Sequence, residues 1–95
     1  MDTIPSITVF IPGVLRDHCD GRAELSIEAP TVREALERLE RDHAELHRNI
    51  CDETGRVRRH INVFVNLENT RFLAGVETPL SPGDVVTILP AVSGG

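Results

Sequence analysis

Apolar and polar positions alternate from the start of the chain. Over residues 6–11, Ile7, Val9 and Ile11 fall on one side and Ser6, Thr8 and Phe10 on the other. A two-residue period predicts a strand. Pro12-Gly13 interrupts it, residues 14–22 read as a loop, and Asp20-Gly21 marks a turn. A second alternating run over 23–29 sets Leu25 and Ile27 against Glu24, Ser26 and Glu28. The two runs predict an antiparallel hairpin with an enlarged connection.

The period then changes. Val32, Ala35, Leu36, Leu39, His43, Leu46 and Ile50 recur at helical spacing, opposite Arg33, Glu37, Arg38, Glu40, Arg41 and Glu45. Thr31 and Glu34 form a capping-box pattern just before the stripe. One helix carrying this stripe is expected. His43 lies on its apolar stripe and reads as a boundary residue rather than a metal ligand, because spacing brings no second ligand to it. Residues 49–60 read as a loop turning at Asp52-Glu53-Thr54-Gly55. The loop ends in Arg56, Arg58, Arg59 and His60, which is either a solvated surface or a contact for an acidic partner. Residues 61–66 alternate as a third strand, 70–73 suggest a short edge strand after a Glu68-Asn69 turn, and 75–83 are loop. Ser81-Pro82-Gly83-Asp84 is a turn, and 85–89 form the last strand, which Pro90 closes.

A lone helix must cover one face of a sheet to bury its stripe. The order hairpin, helix, strand, short strand, strand predicts an α+β domain of the β-grasp (ubiquitin-like) type. Its mixed sheet of four or five strands would pack on one main helix. The expected layout is a domain over 1–89 and a flexible tail over 90–95. The inward set is Ile7, Val9, Ile11, Leu25, Ile27, Ile61, Val63, Val65, Val86 and Ile88, against Val32, Leu36 and Leu39. The last strand is apolar on both sides and belongs at the centre. Its outward residues Val85 and Leu89, with Phe10 and Phe64, would form an apolar patch on the uncovered face, the kind of patch that marks a partner site.

Composition narrows the classes. The chain's 95 residues carry a net charge of −5 with three Phe and no Trp or Tyr. Generic binding to nucleic acid is disfavoured, since phosphate backbones repel such a charge and bases lack stacking platforms. No run is apolar enough to span a bilayer, and the N-terminus lacks a secretory pattern, so a cytoplasmic protein is expected. Cys19 and Cys51 form no paired motif and are expected to be free thiols acting as small buried hydrophobes. All ten basic residues are Arg. The absence of Lys reflects either coding bias or the benefit, to a chain carrying an activated acyl group, of having no side-chain amine to attack it.

The chain ends Pro90-Ala91-Val92-Ser93-Gly94-Gly95. Extended, those residues reach about 20 Å, enough to enter an enzyme's channel while the domain stays outside. Val92, Ser93 and Gly94 are the candidate threading residues, and glycines suit a narrow slot because they have no side chain. The Gly95 carboxylate is the candidate reactive group. Adenylation by ATP would make it an electrophile, and a sulfur nucleophile displacing AMP would leave a thiocarboxylate. There is no P-loop, paired Cys/His metal set or Gly-x-Ser-x-Gly elbow. The chain is therefore expected to be a substrate of other enzymes and not itself an enzyme, with no bound cofactor and no metal.

Ile11-Pro12 with Leu15-Arg16, the run Asn62-Val63-Phe64-Val65-Asn66, Pro82-Gly83-Asp84-Val85-Val86 and above all Ile88-Leu89-Pro90-Ala91-Val92-Ser93-Gly94-Gly95 carry a resemblance over essentially the whole chain. It resembles the ThiS/MoaD family of ubiquitin-like sulfur carriers, with an ending most similar to the CysO-type branch. The resemblance implies activation by a MoeB/ThiF-like adenylyltransferase using ATP. For the CysO-type branch it implies sulfur transfer through a cysteine-synthase homologue and release of cysteine by a zinc metallopeptidase. The MoaD-like branch would instead serve molybdopterin synthase, and the ThiS-like branch thiamine synthesis. A ubiquitin-like protein modifier begins with the same tail chemistry and stays open. A β-grasp [2Fe–2S] ferredoxin needs four Cys ligands, against two here. An RNA-binding β-grasp domain is opposed by the acidic balance.

Overall fold

A computed structural model describes residues 4–91. The first hairpin forms as expected: β1 (Ser6–Phe10) pairs antiparallel with β2 (Glu24–Glu28), Val9 opposite Leu25. Its connection is not a plain loop. Gly13–Cys19 winds into a 3₁₀ helix that buries Leu15 and Cys19 and ends where Asp20 turns left-handed at φ 59°. No sustained period announces such a segment, because its side chains repeat every three residues over too short a run.

Thr31 caps the next element, accepting the Glu34 amide at 3.3 Å. The helix that follows is not continuous. α1 (Val32–Asp42) stops at His43, whose backbone lies at φ −142°, ψ 66°, and α2 (Ala44–Ile50) starts beyond it. The His43 amide still donates to the Leu39 carbonyl, and its own carbonyl takes the His47 amide. The break lets Leu46 and Ile50 pack with Leu15 and Cys19 of the 3₁₀ segment in the single core. Those residues keep the phase of the α1 stripe, so periodicity alone could not reveal the interruption. His43 itself is half-buried, at the boundary its pattern implied.

β3 (Ile61–Val65) follows. The short edge strand is β4 (Glu68–Asn69), earlier than expected, and it pairs back on Val65 and Phe64 across an Asn66-Leu67 turn. Asn66 supplies the turn's positive φ of 56°, a conformation Asn tolerates better than most residues. Thr70–Phe72, expected in that strand, is a 3₁₀ turn, and a second one covers Gly75–Glu77. β5 (Val85–Pro90) runs one residue further than expected, because Pro90 still lies opposite Ile61.

The sheet has five strands in the order β2-β1-β5-β3-β4. β5 is central, parallel to β1 and antiparallel to β3. Burial follows the expected inward set, with Val9, Val86 and Ile88 at 1% exposure or less. Ile27 is the exception and packs only partly against the core. Among the described residues, no helix is long and apolar enough to cross a membrane.

Candidate functional site

Side chains alternate across β5, so burying Val86 and Ile88 turns Val85, Thr87 and Leu89 to the opposite face. Register aligns them with their neighbours. Thr87 lies between Phe10 on β1 and Phe64 on β3, and Phe64 lies opposite Asn69 on β4. Val85 lies beside Thr8, and Leu89 beside Asn62. The four apolar positions expected at the partner site therefore share one sheet face. Phe10 is 37% exposed and Leu89 42%, while Phe64 and Val85 are half-buried. Both helices pack on the other side of the sheet, where the core lies.

Polar groups fix the edges of this face. The Asn69 amide donates to the Asn62 side-chain oxygen at 3.2 Å. Asn66 ties the end of β3 to the start of β5: its side-chain oxygen accepts the Val85 amide at 3.1 Å and its own amide donates to the Val85 carbonyl at 2.7 Å. Its side-chain nitrogen also reaches Asp84 Oδ1 at 3.2 Å. The asparagines of the Asn62–Asn66 run thus have a physical role, one that alternation alone does not suggest. Arg16 was also not expected at the face. Its guanidinium sits 5.9 Å from the centre of the Phe10 ring, within cation–π range, while its Nε donates to the Ile11 carbonyl at 3.0 Å.

The last strand delivers the chain to one end of the sheet. There the Ala91 amide donates to the His60 carbonyl, which fixes the last described residue beside the first residue of β3. Val92, Ser93, Gly94 and Gly95, the residues expected to thread and to carry the acyl group, lie outside the described residues. The basic run ends at the same place. The Arg58 amide bonds to the Ile50 carbonyl at 2.9 Å, and its Nε to the Arg48 carbonyl at 2.9 Å. The preceding turn is closed by Asp52, whose Oδ1 accepts the amides of Thr54 and Arg56 and the Thr54 hydroxyl. The Thr54 hydroxyl, first among these donors, lowers the Asp52 pKa below the usual carboxylate range.

Neither cysteine reaches the open face. Both are buried and free. Burial raises the Cys51 thiol to about 11, which keeps it protonated at neutral pH. Buried thiols with that environment are inert nucleophiles.

A five-stranded mixed sheet with a central last strand, covered on one face by helices and open on the other, makes this a ubiquitin-like β-grasp protein. The ThiS family model matches residues 9–95, and the chain belongs to that family. It is 37% identical over 92 residues to the sulfur carrier protein CysO of Mycobacterium tuberculosis, covering 95% of this chain and 99% of the relative. A chain of the Amycolatopsis orientalis BexX/CysO complex superposes with a TM-score of 0.85 at 40% identity, covering 94% of this chain and 99% of that one. The small archaeal modifier protein 1 of Methanosarcina acetivorans superposes at 0.83 with 31% identity, over 99% of this chain and all of its own.

Proposed function

We propose that this protein is a sulfur carrier, charged and discharged by other enzymes at the carboxylate of Gly95. The carrying observation is the family match. It runs through residue 95, and a named sulfur carrier is 37% identical over nearly the whole chain.

In the proposed cycle, the domain docks on a MoeB/ThiF-like adenylyltransferase through Phe10, Phe64, Val85 and Leu89. Val92, Ser93 and Gly94 thread into its channel. The Gly95 carboxylate attacks the α-phosphorus of ATP, and pyrophosphate leaves. Hydrosulfide, or a sulfur donor of equivalent oxidation state, then attacks the acyl carbon. AMP departs with the former carboxylate oxygen, and a thiocarboxylate remains. No redox change occurs at the carrier, and ATP is consumed by the partner, not held by the domain. The glycines leave the acyl carbon unshielded on its last two residues.

Similarity to CysO supports cysteine biosynthesis as the destination of the sulfur. A cysteine-synthase homologue would use the thiocarboxylate, and a zinc metallopeptidase would release the product. The cytoplasm suits such a carrier, since the two thiols stay reduced there. Likeness to an archaeal modifier protein supports a second reading, in which the activated glycine is joined to protein amines. Detection of Gly95 amide conjugates in cells, without the thiocarboxylate, would favour it.

The reading is tested by ATP–pyrophosphate exchange with the MoeB/ThiF-type enzyme from the same genome. The full chain is expected to support exchange. A chain lacking Gly95 is expected to fold normally and support none. Equal exchange by both would refute the assignment of Gly95.

A further inference from the structure

The net charge of −5 hides a local excess of the opposite sign. Residues 56–60 contain Arg56, Arg58, Arg59 and His60 and no carboxylate. Arg71 joins them from another segment. Its Nη2 donates to the carbonyl of Arg59 at 2.9 Å and to that of Ile61 at 3.1 Å, which holds the guanidinium against the start of β3. Arg56 and Arg59 are exposed. Among the described residues, none of the ion pairs involves Arg56, Arg58, Arg59 or Arg71. Ala91, the last described residue, bonds to His60 at this edge.

A cleft of about 440 Å³ opens beside it, lined in part by Arg33, Arg56, Thr70 and Arg71. One of those arginines already holds a carboxylate. Arg33 grips Glu77 through Nε at 3.1 Å and Nη2 at 3.0 Å. Glu77 balances that guanidinium, so among the described residues the unpaired cations lining the cleft are Arg56 and Arg71.

We infer that this basic edge seats a carboxylate-bearing rim around the channel of the adenylyltransferase that receives the tail. The inference rests on the carrier reading above. Charge at the root of the tail orients the domain before the last residues enter, so it acts mainly on productive encounter and falls with salt. It also separates partners: an enzyme with a basic channel mouth would be repelled.

The test is ATP–pyrophosphate exchange with the genome's own MoeB/ThiF-type enzyme, at about 50 mM and about 300 mM NaCl. Arg56→Glu/Arg59→Glu is compared with Arg38→Glu/Arg41→Glu, which changes net charge equally beside Ile4 and Glu28, at the other end of the sheet. The first pair is expected to raise KM for the carrier about tenfold at low salt, with the gap closing at high salt, while the second stays within about twofold. Arg59→Gln keeps the Arg59 carbonyl and its bond from Arg71. It is expected to raise KM about threefold, which guards against misfolding of the double variant. Equal shifts in the two double variants, or none, overturn the inference and leave the carrier reading intact. Failure of the unmodified chain to support exchange overturns both.

Discussion

Asn66 shows how much one side chain can settle. It takes the left-handed backbone that closes the β3–β4 turn and satisfies both backbone groups of Val85. Alternation identifies its neighbours as strand residues, but nothing in a two-residue period distinguishes Asn66 from any other polar position. Cys51 was legible by contrast, because an unpaired Cys in a chain of this composition is commonly a small core residue. Its thiol is expected to resist alkylation by iodoacetamide at pH 7.5 in the folded protein and to react in urea. Labelling of Cys51 in the native state would contradict its burial. The sign of the linkage follows from the raised value. The folded thiol titrates near 11 against 9.0 unperturbed, so the unfolded chain loses its proton first as pH rises. Stability from this group is complete below pH 9 and is lost between 9 and 11. Melting temperature is expected to fall less across that window in Cys51→Ala, and an equal fall would remove Cys51 as a cause.

Among the elements, β5 carries the most. It was legible because apolar residues on both faces require a central strand. Its inner side packs in the core, and its outer side is the proposed partner surface. Ile88 is fully buried, so Ile88→Ala is expected to cost about 3 kcal/mol in urea unfolding. A loss below about 1 kcal/mol would mean the cavity collapses or the strand is misplaced. Phe64, half-buried on the outer face, is expected to behave differently. Phe64→Ala is expected to raise KM for the adenylyltransferase about tenfold while lowering stability less than Ile88→Ala does. An unchanged KM would remove Phe64 from the interface. The elements that escaped the sequence share one cause. The 3₁₀ turns are too short for a period to show, and the His43 break preserves the stripe across it. The early β4 depends on Asn66 turning the chain, which moves the strand to residues usually read as a turn.

At the scale of the whole molecule, one face holds the core, the other exposes apolar residues, and the basic edge lies beside the end of β5. The open face was legible from the alternation of the outward residues. The basic edge was only half legible, since Arg71 arrives there through hydrogen bonds that no spacing encodes. The proposed division of labour gives the chemistry to the last residue and the recognition to the domain. Intact mass spectrometry after incubation with ATP, sulfide and the genome's MoeB/ThiF-type enzyme tests it most directly. One oxygen is expected to be exchanged for sulfur, localised by fragmentation to Gly95. An unchanged mass with active enzyme present, or sulfur found on Cys19 or Cys51 instead, would contradict it.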